Sequence, residues 1–303
     1  MAIRKRYWIP ALFLLLLAAL ATAFYLRPVE FFNAQVDFQL RATGVESRWV
    51  TLSGVKVHYR VTGPENGPPA LLIHGLGGSS KDWRNLMPYL AYAGFRVYAP
   101  DLPGYGKSGQ PSDFSYSVSD EANAVVSFMD ALGLKQVDLA GHSMGGWIAQ
   151  LVAVHHPDRV RRLMIFDSVG LHVPPDWDTK LFTPANAAQL DQLDVLLMPN
   201  PPRVPAFIAT DILRVSDTNA WVIRRAIAAM FDGSETTDDL LPQLKMPVLL
   251  VWGDVDHITP LSLGEKMHQL IPQSQLEVIH GCGHLAPVQC TDRIGPIVQK
   301  FVH

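Results

Sequence analysis

Val137-Asp138-Leu139-Ala140-Gly141-His142-Ser143-Met144-Gly145-Gly146 is the stretch whose reading decides the fold. Its first four residues make a short, largely apolar run of strand length, and residues 145–155 have helical spacing. Between them stands G-x-S-x-G. As a bare pattern it is common; at a sharp strand-to-helix turn it acquires a mechanism. Such a turn lifts a serine hydroxyl to the carboxyl edge of a sheet, beside the positive end of the following helix. Glycines are needed there because a Cβ would collide in so tight a bend. Ser143 is the candidate nucleophile.

Outward from this point the chain alternates between two kinds of element. Residues 48–52 and 55–61 alternate in polarity around Ser53-Gly54 as hairpin strands would. Residues 70–73 form an apolar run that ends at His74-Gly75, and 95–99 form another that leads to Asp101. Helical spacing marks residues 81–93 and 121–132, the latter stopped by Gly133. Residues 163–166, 248–252 and 276–279 are further buried strands. Strands alternating with helices predict an α/β fold with a mainly parallel sheet covered on both faces, the antiparallel hairpin forming one edge. The rhythm breaks over residues 171–243, where Pro174, Pro175, Pro199, Pro201, Pro202 and Pro205 separate helical pieces such as 219–230 and no strand is evident. That segment is expected to be a helical cap inserted between two sheet strands, leaving 47–170 and 244–303 as the core.

A serine hydroxyl is a poor nucleophile near neutral pH and needs a positioned base. There are 11 histidines, so position must choose among them. His284 follows the final predicted strand in Gly281-Cys282-Gly283-His284, a flexible loop at the same sheet edge as Ser143. His142 adjoins the serine, but from an elbow its side chain should point elsewhere. His155, His156 and His268 fall on helices away from strand ends, and His74 is expected to brace its loop. The base needs a carboxylate to fix its tautomer. The 248–252 strand leads into Gly253-Asp254-Val255-Asp256-His257, and both Asp254 and Asp256 suit the chain order serine, acid, histidine. The developing oxyanion needs backbone donors. The amide of Met144, next after the nucleophile, is one; that of Leu76, in His74-Gly75-Leu76-Gly77-Gly78, is the other. This set requires no metal and no organic cofactor.

Composition bounds the rest. The chain has 303 residues, 48% hydrophobic and 17% charged, which allows one sizeable core. A formal net charge of -3, with no basic run beyond the N-terminus, leaves no field to attract nucleic acid. Residues 1–27 read as a membrane anchor or a signal sequence. Arg4, Lys5 and Arg6 precede an uncharged run that ends at Arg27 and, as a helix, spans about 30 Å. Tyr7, Trp8, Phe24 and Tyr25 stand at its two ends, where interfacial aromatics prefer to lie. The basic cluster predicts that its end stays in the cytoplasm, with the catalytic body on the other side. The rival is cleavage after Ala21-Thr22-Ala23, which would release a secreted or periplasmic protein. Residues 28–46 are a connecting segment in which Phe31, Phe32, Val36, Phe38 and Leu40 are spaced among polar neighbours, against the membrane or the body. Cys282 and Cys290 are too few for a disulfide framework and lack a metal-ligand spacing; they read as buried or half-buried thiols, a bridge between them requiring Cα atoms within about 7 Å.

The motifs HGLGG, DLPGYGKS, GHSMGG, GDVDHITP and GCGHLAP, in this order, resemble the α/β-hydrolase superfamily over residues 47–302. The resemblance implies an eight-stranded, mainly parallel sheet flanked by helices. It also implies Asp256, not Asp254, as the acid of a Ser143, Asp256, His284 triad, and makes residues 101–108 a structural loop. Within the superfamily the anchor, elbow and capped layout are most similar to bacterial esterases and lipases related to monoacylglycerol lipases. That implies hydrolysis of acylglycerols or other short- or medium-chain acyl esters through an acyl-enzyme. The apolar cap residues Trp177, Leu181, Phe182, Leu196, Leu197, Met198, Phe207 and Ile208 would suit an acyl chain, or would form the cap's own core. A carbon–carbon bond hydrolase of dienoic ring-cleavage products is the alternative enzyme on this fold. A ligand-binding homologue that catalyses nothing is the non-enzymatic one. Dehalogenase and epoxide hydrolase relatives carry an aspartate where this chain has Ser143, which disfavours both.

Overall fold

The computed structural model describes residues 8–303, so Arg4, Lys5, Arg6 and Tyr7 lie outside the described residues. Eight strands form one sheet in the order β1-β2-β4-β3-β5-β6-β7-β8. They are β1 (Glu46–Leu52), β2 (Val55–Thr62), β3 (Pro69–Ile73), β4 (Arg96–Pro100), β5 (Val137–His142), β6 (Val160–Phe166), β7 (Val248–Gly253) and β8 (Ser274–Ile279). β1, β2 and β4 pair antiparallel, and every pairing from β4 across to β8 is parallel. The hairpin turns at Ser53-Gly54, both at positive φ.

The central strands are apolar along their whole length because helices cover both faces. Leu71, Ile73, Leu139, Leu163, Ile165 and Leu250 pack on one side against α4 (Val118–Ala131) and α5 (Met144–His155). Their alternate neighbours Leu72, Val97, Ala140, Met164, Leu249 and Val251 face the other side, where α3 (Met87–Tyr92) and α10 (Thr291–Val302) lie. The helix expected over 81–93 is instead a 3₁₀ turn, Ser80–Trp83, followed by α3. Pro88 accounts for the break, since it offers no N–H to a carbonyl one turn earlier. Between β6 and β7 the chain forms α6 (Ala187–Leu197) and α7 (Ala206–Met230) and no strand; α8 (Leu261–Leu270) follows β7, and α9 (Ala286–Gln289) precedes α10. α7 begins well before the expected residue 219. Thr210, Ser216, Asp217 and Thr218 weaken its helical signal in sequence, and packing of Ala209, Ala220, Ile223, Ala226 and Met230 restores it.

At the N-terminus α1 (Trp8–Leu26) and α2 (Pro28–Ala42) meet at Arg27. Among the described residues no single helix is long and apolar enough to cross a membrane; Pro10–Leu26 and Pro28–Ala42, bent by 100° to one another, meet that requirement only as a pair. Leu12, Phe13, Leu15 and Leu16 are exposed on α1. α2 instead docks on the body through buried Val36 and Leu40. Its Asp37 pairs with Arg60 and, at 2.9 Å, with Lys107, while Lys81 Nζ donates to Asn33 Oδ1 at 2.7 Å. Asp211 of α7 accepts the Val29 N–H at 3.0 Å, capping α2 from outside its own sequence.

One expectation is corrected. Cys282 and Cys290 are not thiols but a disulfide. The loop after β8 doubles back onto α9, which brings the two Cα atoms to 6.5 Å, inside the range a bridge allows.

Candidate active site

Ser143 is the single residue between β5 and α5, held at φ 54, ψ -121. A non-glycine residue in that region stores strain that the surroundings must enforce. Here the enforcement is close packing. A Cβ on Gly145 would lie 2.3 Å from the Ile73 carbonyl oxygen, and one on Gly141 would lie 2.1 Å from that of Gly145. The end of β3 is therefore pressed against the elbow, and the Ser143 amide is tied to Phe166 O of β6 at 3.0 Å.

His284 comes from the loop between β8 and α9. Its Nε2 lies 2.9 Å from Ser143 Oγ and its Nδ1 lies 2.8 Å from Asp256 Oδ2. Of the two acids left open by spacing, only Asp256 faces this histidine. Asp254 turns outward, accepting from Gly281 N at 2.6 Å and pairing with exposed His280 at 2.8 Å. Asp256 accepts at Oδ1 from the amides of Ile258 (2.7 Å) and Thr259 (2.9 Å), and at Oδ2 from Thr259 Oγ1 (2.7 Å). Burial pushes its carboxyl up, but the His284 charge and hydrogen bonds from His284 and Thr259 outweigh it and hold the group below the usual carboxylate range.

The loop after β3 carries Leu76. The N–H groups of Leu76 and Met144 donate to no protein acceptor among the described residues. His74 braces this loop: Nδ1 donates to Gly75 O at 2.8 Å and Nε2 accepts the Leu102 N–H at 3.1 Å. The 101–108 loop is likewise internal scaffolding. Asp101 takes the amides of Ser80 and Lys107 and meets His58 Nδ1 at 2.8 Å.

A cavity of about 400 Å³ opens on Ser143 and His284. Leu190, Leu193 and Leu197 of α6 and Ile212, Val215 and Ile223 of α7 supply much of its wall. Of the cap residues expected to meet an acyl chain, Phe182 and Leu197 line it. Trp177, Leu181 and Leu196 border a separate outer groove, and Phe207 stacks on Tyr25 at 5.0 Å. Among the described residues no Lys or Arg lines the cavity. Among the described residues no cluster of His, Cys, Asp or Glu could hold a metal ion.

A model of the alpha/beta hydrolase fold matches residues 68–220 and 231–289. The chain belongs to the α/β-hydrolase family. Among this hydrolase's relatives, 2-hydroxymuconate semialdehyde hydrolase of Pseudomonas putida is 33% identical over 257 residues, 78% of this chain and 87% of that protein. Lipase 1 of Psychrobacter immobilis is 27% identical across 98% of this chain and 96% of its own length. A bacterial membrane phospholipase A of known structure superposes with a TM-score of 0.83 at 27% identity, covering 98% of both chains.

Two further groups at the hydrolase's site shape it without touching the serine hydroxyl. His142, expected to point away from the serine, turns its Nε2 to the His284 carbonyl oxygen at 2.7 Å, so it orients the base's loop. Burial and the neighbouring His284 hold it down to about 3, and it is neutral at ordinary pH. Asp167, at the end of β6, is fully buried at φ 43 and gives Oδ1 to the Gly253 N–H at 2.8 Å. Burial and then the charge of Asp256 push its carboxyl well up. Its place directly after a buried strand was the one available clue.

Proposed function

We propose that this hydrolase cleaves carboxylic esters through an acyl-enzyme intermediate. The observation that carries the reading is the unbroken line Ser143 Oγ–His284 Nε2 and His284 Nδ1–Asp256 Oδ2 on one side of an apolar cavity. Ser143 Oγ attacks the acyl carbonyl as His284 takes its proton; Asp256 holds the imidazole and offsets its charge. The unpartnered amides of Leu76 and Met144 receive the oxyanion. His284 then protonates the departing alcohol, and water repeats the sequence to free the acid. In this reading 171–243 is the cap, 47–170 and 244–303 the core, and neither metal nor cofactor takes part.

A second reading, cleavage of a carbon–carbon bond in a dienoate, draws support from the Pseudomonas putida relative. Such a substrate is an anion. The cavity presents it with no Lys or Arg and with Asp82 in the wall, which favours the neutral ester.

For location, we propose attachment to a membrane through the N-terminal segment, with the catalytic body on the non-cytoplasmic side; release after cleavage near Ala23 is the alternative. Support comes from the exposed apolar surface of α1, from a disulfide that suits an oxidising compartment, and from the likeness to a membrane phospholipase.

The full chain in detergent is expected to release p-nitrophenol from short- or medium-chain esters, and Ser143→Ala to lower turnover on the order of 10⁶-fold. A fluorophosphonate probe is expected to label Ser143. Retained turnover in Ser143→Ala overturns the assignment. Folded protein that neither labels nor hydrolyses points to a ligand-binding homologue, and decay of a ring-fission product's absorbance without ester turnover points to the dienoate reading.

A further inference from the structure

The cavity beside Ser143 is not uniformly apolar. Ser216 and Asn219 stand one helical turn apart on the same side of α7 as Ile212, Val215 and Ile223, and all five line it. The Ser216 hydroxyl makes no hydrogen bond to protein among the described residues. Asn219 Oδ1 accepts from Gln110 Nε2 and, at 3.4 Å, from Thr218 Oγ1, which leaves its Nδ2 amide as a free donor. Asp82 completes the set. Its Oδ2 accepts the Ser79 N–H at 3.0 Å, and its Oδ1 has no partner among the described residues. The glycine loop links the three. A Cβ on Gly77 would be 3.6 Å from Ile223 Cδ1, one turn along α7 from Asn219, and one on Gly78 would meet the Asp82 carboxylate.

The chemistry of these groups narrows what they receive. A carboxylate or phosphate would find no cation here and would confront Asp82. An ammonium group would meet one acid and an amide that offers only N–H. A diol matches all three, because each hydroxyl both donates and accepts. Burial pushes the Asp82 carboxyl up. We propose that Asp82, Ser216 and Asn219 form a subsite for a hydroxyl-bearing alcohol moiety. The preferred substrates are then acyl esters of a polyol such as glycerol, with the acyl chain lying along the leucines of α6. The inference rests on the ester-hydrolase reading, and its test separates the two.

The first measurement needs no chemistry. Calorimetric binding to the full-length protein in detergent compares 1-O-decylglycerol with decyl methyl ether, which has the same chain and no hydroxyl. The diol is expected to bind about tenfold tighter, and Ser216→Ala with Asn219→Leu to remove most of that advantage. The second is the ratio of kcat/KM for 1-decanoylglycerol to that for ethyl decanoate. Each of Ser216→Ala, Asn219→Leu and Asp82→Asn is expected to lower it by about three- to tenfold. Asp82→Asn keeps an oxygen for the Ser79 N–H, and Ser216→Ala alone decides the matter if the double variant does not fold. Equal binding of the two ethers by the unaltered protein, or a ratio unmoved by the variants, overturns the subsite. Discrimination between the ethers with no turnover of either ester overturns the hydrolase reading instead.

Discussion

Thr259 shows how far the proposed Ser143 nucleophile depends on groups that meet no substrate. Its hydroxyl has a single proton to give, and three acceptors or rings surround it: Asp256 Oδ2 at 2.7 Å, Asp167 O at 3.1 Å and His284 Nδ1 at 3.2 Å. Donation to the carboxylate is the strongest choice, since hydrogen bonds to charged groups exceed neutral ones. Thr259→Val is therefore expected to lower kcat about tenfold with little effect on KM, and to move the acid limb of the pH–rate profile to higher pH. Ester hydrolysis measured from pH 5 to 9 checks this; an unmoved limb with full kcat would mean that the two loop amides hold Asp256 unaided. The sequence made Ser143 and His284 legible because a nucleophile elbow and a terminal glycine loop are local patterns. Spacing alone left Asp254 and Asp256 open, because the direction in which the loop after β7 turns is fixed by Thr259, just before α8, and by Asp167, at the end of β6. His142 does point away from the serine hydroxyl, but its partner, a carbonyl 142 residues away, could not be read from the sequence.

At the scale of elements, the disulfide explains how a loop of glycines holds His284, the proposed base, in place. Cys282 precedes His284 by two residues, and its bridge to Cys290 ties the loop to the start of α10. Arg293 closes the arrangement, with Nη2 at 2.6 Å and 3.0 Å from the two sulfurs and Nη1 donating to His280 O at 2.6 Å. Closing so short a loop contributes about 2–3 kcal/mol. Cys290→Ser is expected to lower Tm by about 3–5 °C and to reduce kcat as His284 loses its fixed position. Calorimetry and ester assays with and without reductant form the check. Reductant is expected to bring the unaltered protein to the variant's level and to leave the variant unmoved; a reductant-insensitive parent would reject the role. The succession of strands and helices and the opening hairpin were readable from alternation and turn residues, as was the absence of strands between β6 and β7; the crossing of β3 and β4 in the sheet was not. The bridge was not, because proximity of two cysteines is a property of the folded loop. Nor was the full length of α7, whose polar first half is helical only through contacts with α2 and α6.

For the molecule as a whole, α7 is the shared wall: Ile212, Val215 and Ile223 face the cavity, while Phe207 and Asp211 receive α1 and α2. What fixes the other side of α2 is charge. Asp37 sits among Arg60, Lys81 and Lys107, and Arg60 is almost wholly buried. Burial raises the Asp37 carboxyl, but hydrogen bonds from Lys107 and Arg60 overcome this and bring it down to about 2 from 3.8. A depressed carboxylate contributes stability that is complete above the unfolded value and is lost as pH falls towards the folded one. Discounted for partial exposure, that contribution is about 1–2 kcal/mol, or about 2–3 °C in Tm. Asp37→Asn is thus expected to melt lower than the parent by a constant amount above pH 4, the gap narrowing as pH is brought from 4 towards 2. Truncation sharpens the point. Removal of residues 1–27 leaves Asp37 in place and is expected to spare the melting temperature, whereas removal of 1–42 strands three cations and is expected to cost more than Asp37→Asn alone. A gap between parent and Asp37→Asn that persists undiminished at pH 3 would mean that α2 is held by Val36 and Leu40, with the ion cluster incidental.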